Sequence, residues 1–68
     1  MENTFDIKFT HDLIIKSEKV GLKKTFEYCL KYIQLYNGSN ETNFANYKNG
    51  TVCIIDSQTE NIVYSEMI

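Results

Sequence analysis

Phe5, Ile7 and Phe9 alternate with Asp6 and Lys8, and that period of two predicts a half-buried strand over residues 4–10. Thr10, His11 and Asp12 then turn the chain. Leu13, Ile14 and Ile15 form a short apolar run that either extends the sheet or begins a helix. From Ser17 the pattern changes. A hydroxyl followed by Glu18 and Lys19 is what a helix start needs, a cap for free N–H groups and an acid near the positive end. Gly21 weakens that start by about 1 kcal/mol relative to alanine, which leaves residues 22–36 as the secure helix. Within it Leu22, Phe26, Cys29, Leu30 and Ile33 share one face. Asn37 and Gly38 supply the left-handed position that commonly ends a helix.

Residues 39–46 are polar and Asn-rich, a loop or an irregular short helix that Phe44 and Tyr47 can pin to the body. Lys48, Asn49, Gly50 and Thr51 signal a tight turn, joining a brief strand near residues 44–48 to the next one. Residues 51–56 are apolar on both faces, as suits a central strand. Residues 57–60 make a hairpin loop, with Asn61 able to take a positive φ. The returning strand, residues 61–67, would set Ile62 and Tyr64 on one side, Val63 and Met67 on the other. The pattern predicts one small α+β domain over residues 1–68, a two-layer sandwich in the order β-α-(β)-β-β. Three or four mainly antiparallel strands would carry one long helix across one face.

Composition limits what such a chain can be. With 68 residues, 43% of them hydrophobic and 13% aromatic, it can build a core but only a modest one. Dimerisation or docking on a larger partner would add stability, and a self-sufficient monomer is the alternative. Cys29 on the helix face and Cys53 in a strand are too few for a disulfide scaffold, and read as buried, reduced thiols. Residues 1–4 lack the basic and apolar regions of a signal peptide, and no apolar run approaches the roughly 18 residues of a membrane span. The expected location is the cytoplasm, without membrane contact. The three Asn-X-Ser/Thr matches at Asn37, Asn40 and Asn49 are then by-products of Asn-rich turns.

Charge makes the picture sharper. Residues 16–36 hold five lysines against two glutamates, whereas the rest of the chain holds Lys8 and Lys48 against seven acids, so the total of −2 conceals a polarised molecule. On a helical wheel Lys23, Glu27, Lys31 and Gln34 take the solvated side, spaced for i,i+4 ion pairs between Lys23, Glu27 and Lys31. Tyr28, Tyr32 and Leu35 form a second apolar strip bordered by Lys24. An aromatic strip rimmed by lysine is a common composition for a contact surface. The residues assigned to partner binding are therefore Lys24, Tyr28, Lys31, Tyr32 and Leu35. The alternative is that Tyr28 and Tyr32 fold over the sheet edge or under residues 39–46.

Other chemistries find less support. His11 is the single histidine, and its neighbour Asp12 is adjacent in sequence rather than paired in space. Neither cysteine has a cationic motif to activate it, and neither a phosphate loop nor a metal-ligand spacing occurs. No enzymatic activity, cofactor or metal is expected. Nucleic-acid binding would use lysines on phosphates and tyrosines on bases, but a pI of about 5.2 and the absence of arginine disfavour it. The acids Glu2, Asp6, Asp12, Glu41, Asp56, Glu60 and Glu66 could instead imitate a phosphate backbone, although solubility alone asks for as many.

The expected function is a non-enzymatic protein-binding module that occupies a surface of a larger protein or nucleoprotein complex. In kind rather than by any motif, the chain is similar to compact proteins of bacteriophages and mobile elements, many of which inhibit host complexes, including CRISPR effectors. Its Asn, Lys and Ile usage fits an AT-rich genome. That likeness implies an inhibitor of a bacterial defence complex. The rival functions are a structural or regulatory homodimer through the Tyr/Lys helix face and a small RNA-binding module.

Overall fold

Two hairpins, joined by the helical segment, build one sheet in a computed structural model that describes residues 3–68. Glu2, counted above among the acids, and Met1 lie outside the described residues. Strand β1 (Phe5–His11) returns as β2 (Lys16–Lys24), followed by α1 (Phe26–Tyr36), the short α2 (Thr42–Asn46), β3 (Thr51–Asp56) and β4 (Ile62–Met67). All pairings are antiparallel, in the order β2-β1-β3-β4. This is the small α+β fold that the pattern predicts, with one long helix over a four-stranded sheet.

The fourth strand lies elsewhere than expected. Residues 16–24 are not the beginning of the helix but the nine-residue edge strand β2. The reason is a lack of apolar surface: a helix there could bury only Val20 and Leu22, and would carry Gly21. Paired with β1, the same two side chains pack against the core. The helix starts instead at Thr25, whose Oγ1 accepts the Tyr28 N–H at 3.1 Å, with Glu27 in the first turn. Its end follows expectation, with Gly38 in the left-handed region at φ 88°.

Ile7 and Phe9 of β1 stand beside Ile54 and Val52 of β3, and all four face Cys29 and Ile33 of α1. Phe44 and Tyr47 close this core from the side. The Phe9 ring meets Phe44 edge-on at 5.0 Å and stacks on Tyr47 at 5.6 Å. Residues 44–48 form no strand, because Phe44 belongs to α2, which Glu41 caps by accepting the Asn43 N–H. In the last hairpin it is Glu60, not Asn61, that takes the positive φ. A bulge then pairs Ile62 with Ile55 and Tyr64 with Ile54, so Ile62 and Tyr64 lie on opposite faces. Cys53 and Ile55 are buried on the face away from the helix, and both cysteines are free thiols. Among the described residues no helix is long and apolar enough to cross a membrane.

Candidate functional site

The outer side of α1 follows from how its inner side is used. Cys29 and Ile33 are fully buried, while Phe26 packs edge-on against Phe5 at 5.9 Å and Tyr64 at 6.3 Å. Those contacts fix the rotation of the helix and turn Tyr28, Lys31 and Leu35 outward. With Tyr32 and Tyr36 they line an open groove of about 270 Å3. Leu35 is 70% exposed and Tyr28 50%. Tyr32 is half-buried, its ring 5.0 Å from Tyr36 and 6.1 Å from Phe44 of α2. Burial chiefly, and the Glu41 carboxylate next, push the Tyr32 hydroxyl above the usual phenol range. The two alternatives for the tyrosines thus divide between them: Tyr32 lies against α2, whereas Tyr28 stands out.

Lys24 ends β2 rather than lying on the helix, with its Nζ 5.5 Å above the Tyr28 ring. It braces one groove wall from behind, a cation–π contact worth about 0.5–1 kcal/mol at an exposed site. The structure therefore brings Tyr28, Lys31, Tyr32 and Leu35 together and sets Lys24 beside them.

A cationic helix is not what forms. Lys16, Lys19, Lys23 and Lys24 belong to β2, and Lys31 alone lies on α1. The predicted Lys23–Glu27 pair across a helical turn is lost with the shorter helix. Several of these lysines have internal tasks. Lys16 Nζ sits 5.1 Å above the Tyr47 ring, and Lys19 Nζ lies 3.3 Å from Glu60 and 3.8 Å from Asp6. Three of the acids are engaged as well. Glu41 caps α2, Asp56 accepts the Gln58 and Thr59 N–H groups, and Glu66 accepts from Tyr64 Oη and Asn37 Nδ2 at 2.6 Å each.

One surface feature escaped the sequence pattern. Leu13, Ile14 and Ile15 neither extend a strand nor begin a helix; they form the exposed tip of the β1–β2 hairpin. Ile15 is 93% exposed and has φ 45°, an uncommon conformation for a β-branched residue. The available signal was three consecutive aliphatic residues directly after the turn residues His11 and Asp12.

Both thiols are buried. Burial, with the nearby Asp6 carboxylate, pushes the Cys29 thiol up, and its Sγ donates to the Phe5 carbonyl at 3.6 Å. Burial also raises Cys53, against the opposing pull of Lys8. Neither is an activated thiolate. Among the described residues no three His, Cys, Asp or Glu side chains gather as a metal site. Set against known protein families, curated proteins and solved structures, the chain shows no significant match.

Proposed function

We infer that this chain is a non-enzymatic protein-binding module that docks on a larger macromolecular complex through the outer side of α1. One observation carries the inference: the Tyr28, Lys31, Tyr32, Leu35 and Tyr36 groove combines exposed apolar area with a lysine at its rim. Tyrosine gives large contact area for little ordering entropy, and Tyr32 is already held by Tyr36 and Phe44. A partner with an apolar side chain beside an acid fits that chemistry. Nucleic acid fits less well, because Lys16 and Lys19 are spent within the chain and no arginine is present. The finer assignment, a cytoplasmic inhibitor of a bacterial nucleoprotein defence complex such as phages carry, rests on size, charge and composition.

The test compares wild type with a Tyr28→Ala, Leu35→Ser double variant in affinity capture from nuclease-treated lysate of the native host. Both positions are exposed, so the fold should be retained. The expected result is a stoichiometric protein captured by wild type and lost with the variant. Equal capture by both would overturn the assignment of this face. Recovery from untreated lysate that disappears on nuclease treatment would transfer the function to nucleic acid.

A further inference from the structure

The two edges of the sheet differ. β2 carries Lys16, Lys19, Lys23 and Lys24, and its pairing with β1 is irregular near a positive φ at Lys23. Lysine and irregularity are the usual protection of an edge strand against pairing with another chain. β4, the opposite edge, has neither lysine nor proline. Its own bulge lies at the Val63 end and leaves the stretch from Tyr64 onward regular. α1 packs chiefly over β1, β2 and β3, and touches β4 through Phe26 against Tyr64 and through its capping residue Asn37 on Glu66 and Met67.

The direction of the β4 backbone groups can be worked out. The Ile68 N–H donates to the Gly50 carbonyl at 3.0 Å, and Glu66 and Tyr64 stand opposite Val52 and Ile54. Bonded and non-bonded pairs alternate along an antiparallel ladder. The backbone groups of Tyr64, Glu66 and Ile68 therefore face β3, and those of Ser65 and Met67 point outward. Asn37 Nδ2 already donates to the Met67 carbonyl at 3.0 Å, so the free stretch centres on Ser65. Beside it, on the face away from the helix, Ile62, Val63 and Met67 are exposed, Met67 at 76%, next to buried Cys53 and Ile55.

We propose that β4 pairs with β4 of a second copy, antiparallel about a two-fold axis at Ser65, to make one continuous eight-stranded sheet from two four-stranded ones. The register is self-complementary. Each Ser65 exchanges N–H and C=O bonds with its counterpart, and Val63 of each copy lies beside Met67 of the other on the exposed apolar face. Glu66 of each copy faces Tyr64 of the other, so like charges are not opposed. A register centred on Val63 would put the two-fold axis on the bulge, and one centred on Met67 would put it on the carbonyl that Asn37 occupies; centred on Ser65, both features fall at the ends of the shared ladder. The occupant is thus a second copy of this chain. The interface is small, so association is concentration-dependent.

Sedimentation across a micromolar-to-millimolar series tests this. The mass should double from 8.0 kDa as concentration rises. Ser65→Lys, which sets two cations across the axis, should abolish the doubling, whereas Leu35→Ser on the helix groove should leave it unchanged. Amide exchange supplies a readout on wild type alone, should Ser65→Lys fail to fold. The Ser65 and Met67 amides should slow with concentration, while Tyr64 and Glu66 are protected throughout. A monomer at every concentration, a dimer that survives Ser65→Lys, or one that Leu35→Ser removes would each overturn the proposal.

Discussion

The Lys23 backbone N–H donates to Asp6 Oδ1 at 3.0 Å, across the irregular stretch of the β1–β2 ladder. Between the pairs Ile7–Val20 and Phe5–Lys24, β2 contains more residues than β1, so its ladder bonds cannot all form there. The carboxylate takes the place of a missing carbonyl. Asp6 is 1% exposed, the one buried charged residue among those described, and Lys19 approaches its other oxygen. Asp6→Ala should therefore cost about 1–3 kcal/mol, the usual penalty for stranding a buried donor. Asp6→Asn keeps an acceptor oxygen and should recover most of that loss. Urea denaturation of both variants decides it; equal losses would show that the charge, not the hydrogen bond, matters.

Gly50 is buried for lack of room. A Cβ there would collide with the Thr10 carbonyl and lie 2.9 Å from the Tyr47 carbonyl and 3.3 Å from His11 Cβ. Gly50→Ala should lower stability by about 3 kcal/mol, at the upper end for overpacking. Gly21 has nothing within 4 Å, so Gly21→Ala should stay within about 0.5 kcal/mol of wild type. Thermal unfolding of the pair tests whether space rather than flexibility selects glycine.

The Tyr47 hydroxyl is buried without a hydrogen-bond partner among the described residues, while its ring stacks on Phe9 and lies under Lys16. Tyr47→Phe retains both ring contacts and removes a stranded donor. Stability should hold or rise by about 1 kcal/mol. A clear drop in the urea midpoint would mean that the hydroxyl is bonded in solution.

Stability should decline at both ends of the pH scale, for opposite reasons. The Thr59 and Gln58 N–H groups hold the Asp56 carboxyl below its usual range. Its contribution is present above the unfolded pKa and is lost as pH falls through the folded one. Tyr32 and Tyr47 are raised chiefly by burial, and Tyr64 by its hydrogen bond to Glu66. Their contribution is full below the unfolded phenol value of about 10 and fades as pH rises through the folded values. A urea midpoint that stays flat from acid to alkali would contradict these shifts.

The chain's own pattern shows some of this plainly and hides the rest. Phe5, Ile7 and Phe9, and the apolar run from Val52 to Ile55, announce their strands because alternation and double-sided burial are local signals. Asn49 and Gly50 mark a turn, yet the left-handed residue there is Asn49, at φ 72°, and Gly50 is needed for close approach. Tyr28, Tyr32 and Leu35 could be placed on one strip by helical spacing alone. That Tyr28 is exposed while Tyr32 leans on Phe44 depends on where α2 docks.

Local periodicity by itself determined the fold class, one long helix ending at Tyr36, three of the four strands and the aromatic strip on the helix, but it began that helix too early, at residues 22–24, which belong to β2. Tertiary structure alone decided the fate of Lys16–Lys24, which has too few apolar residues to choose a period and takes its form from the free edge of β1. It also decided that Leu13, Ile14 and Ile15 stand exposed at a hairpin tip, and that the lysines gather on a strand rather than a helix. A side chain's spacing is written in its neighbours along the chain. Its exposure and its partners depend on segments far away in sequence, which only the folded arrangement brings together.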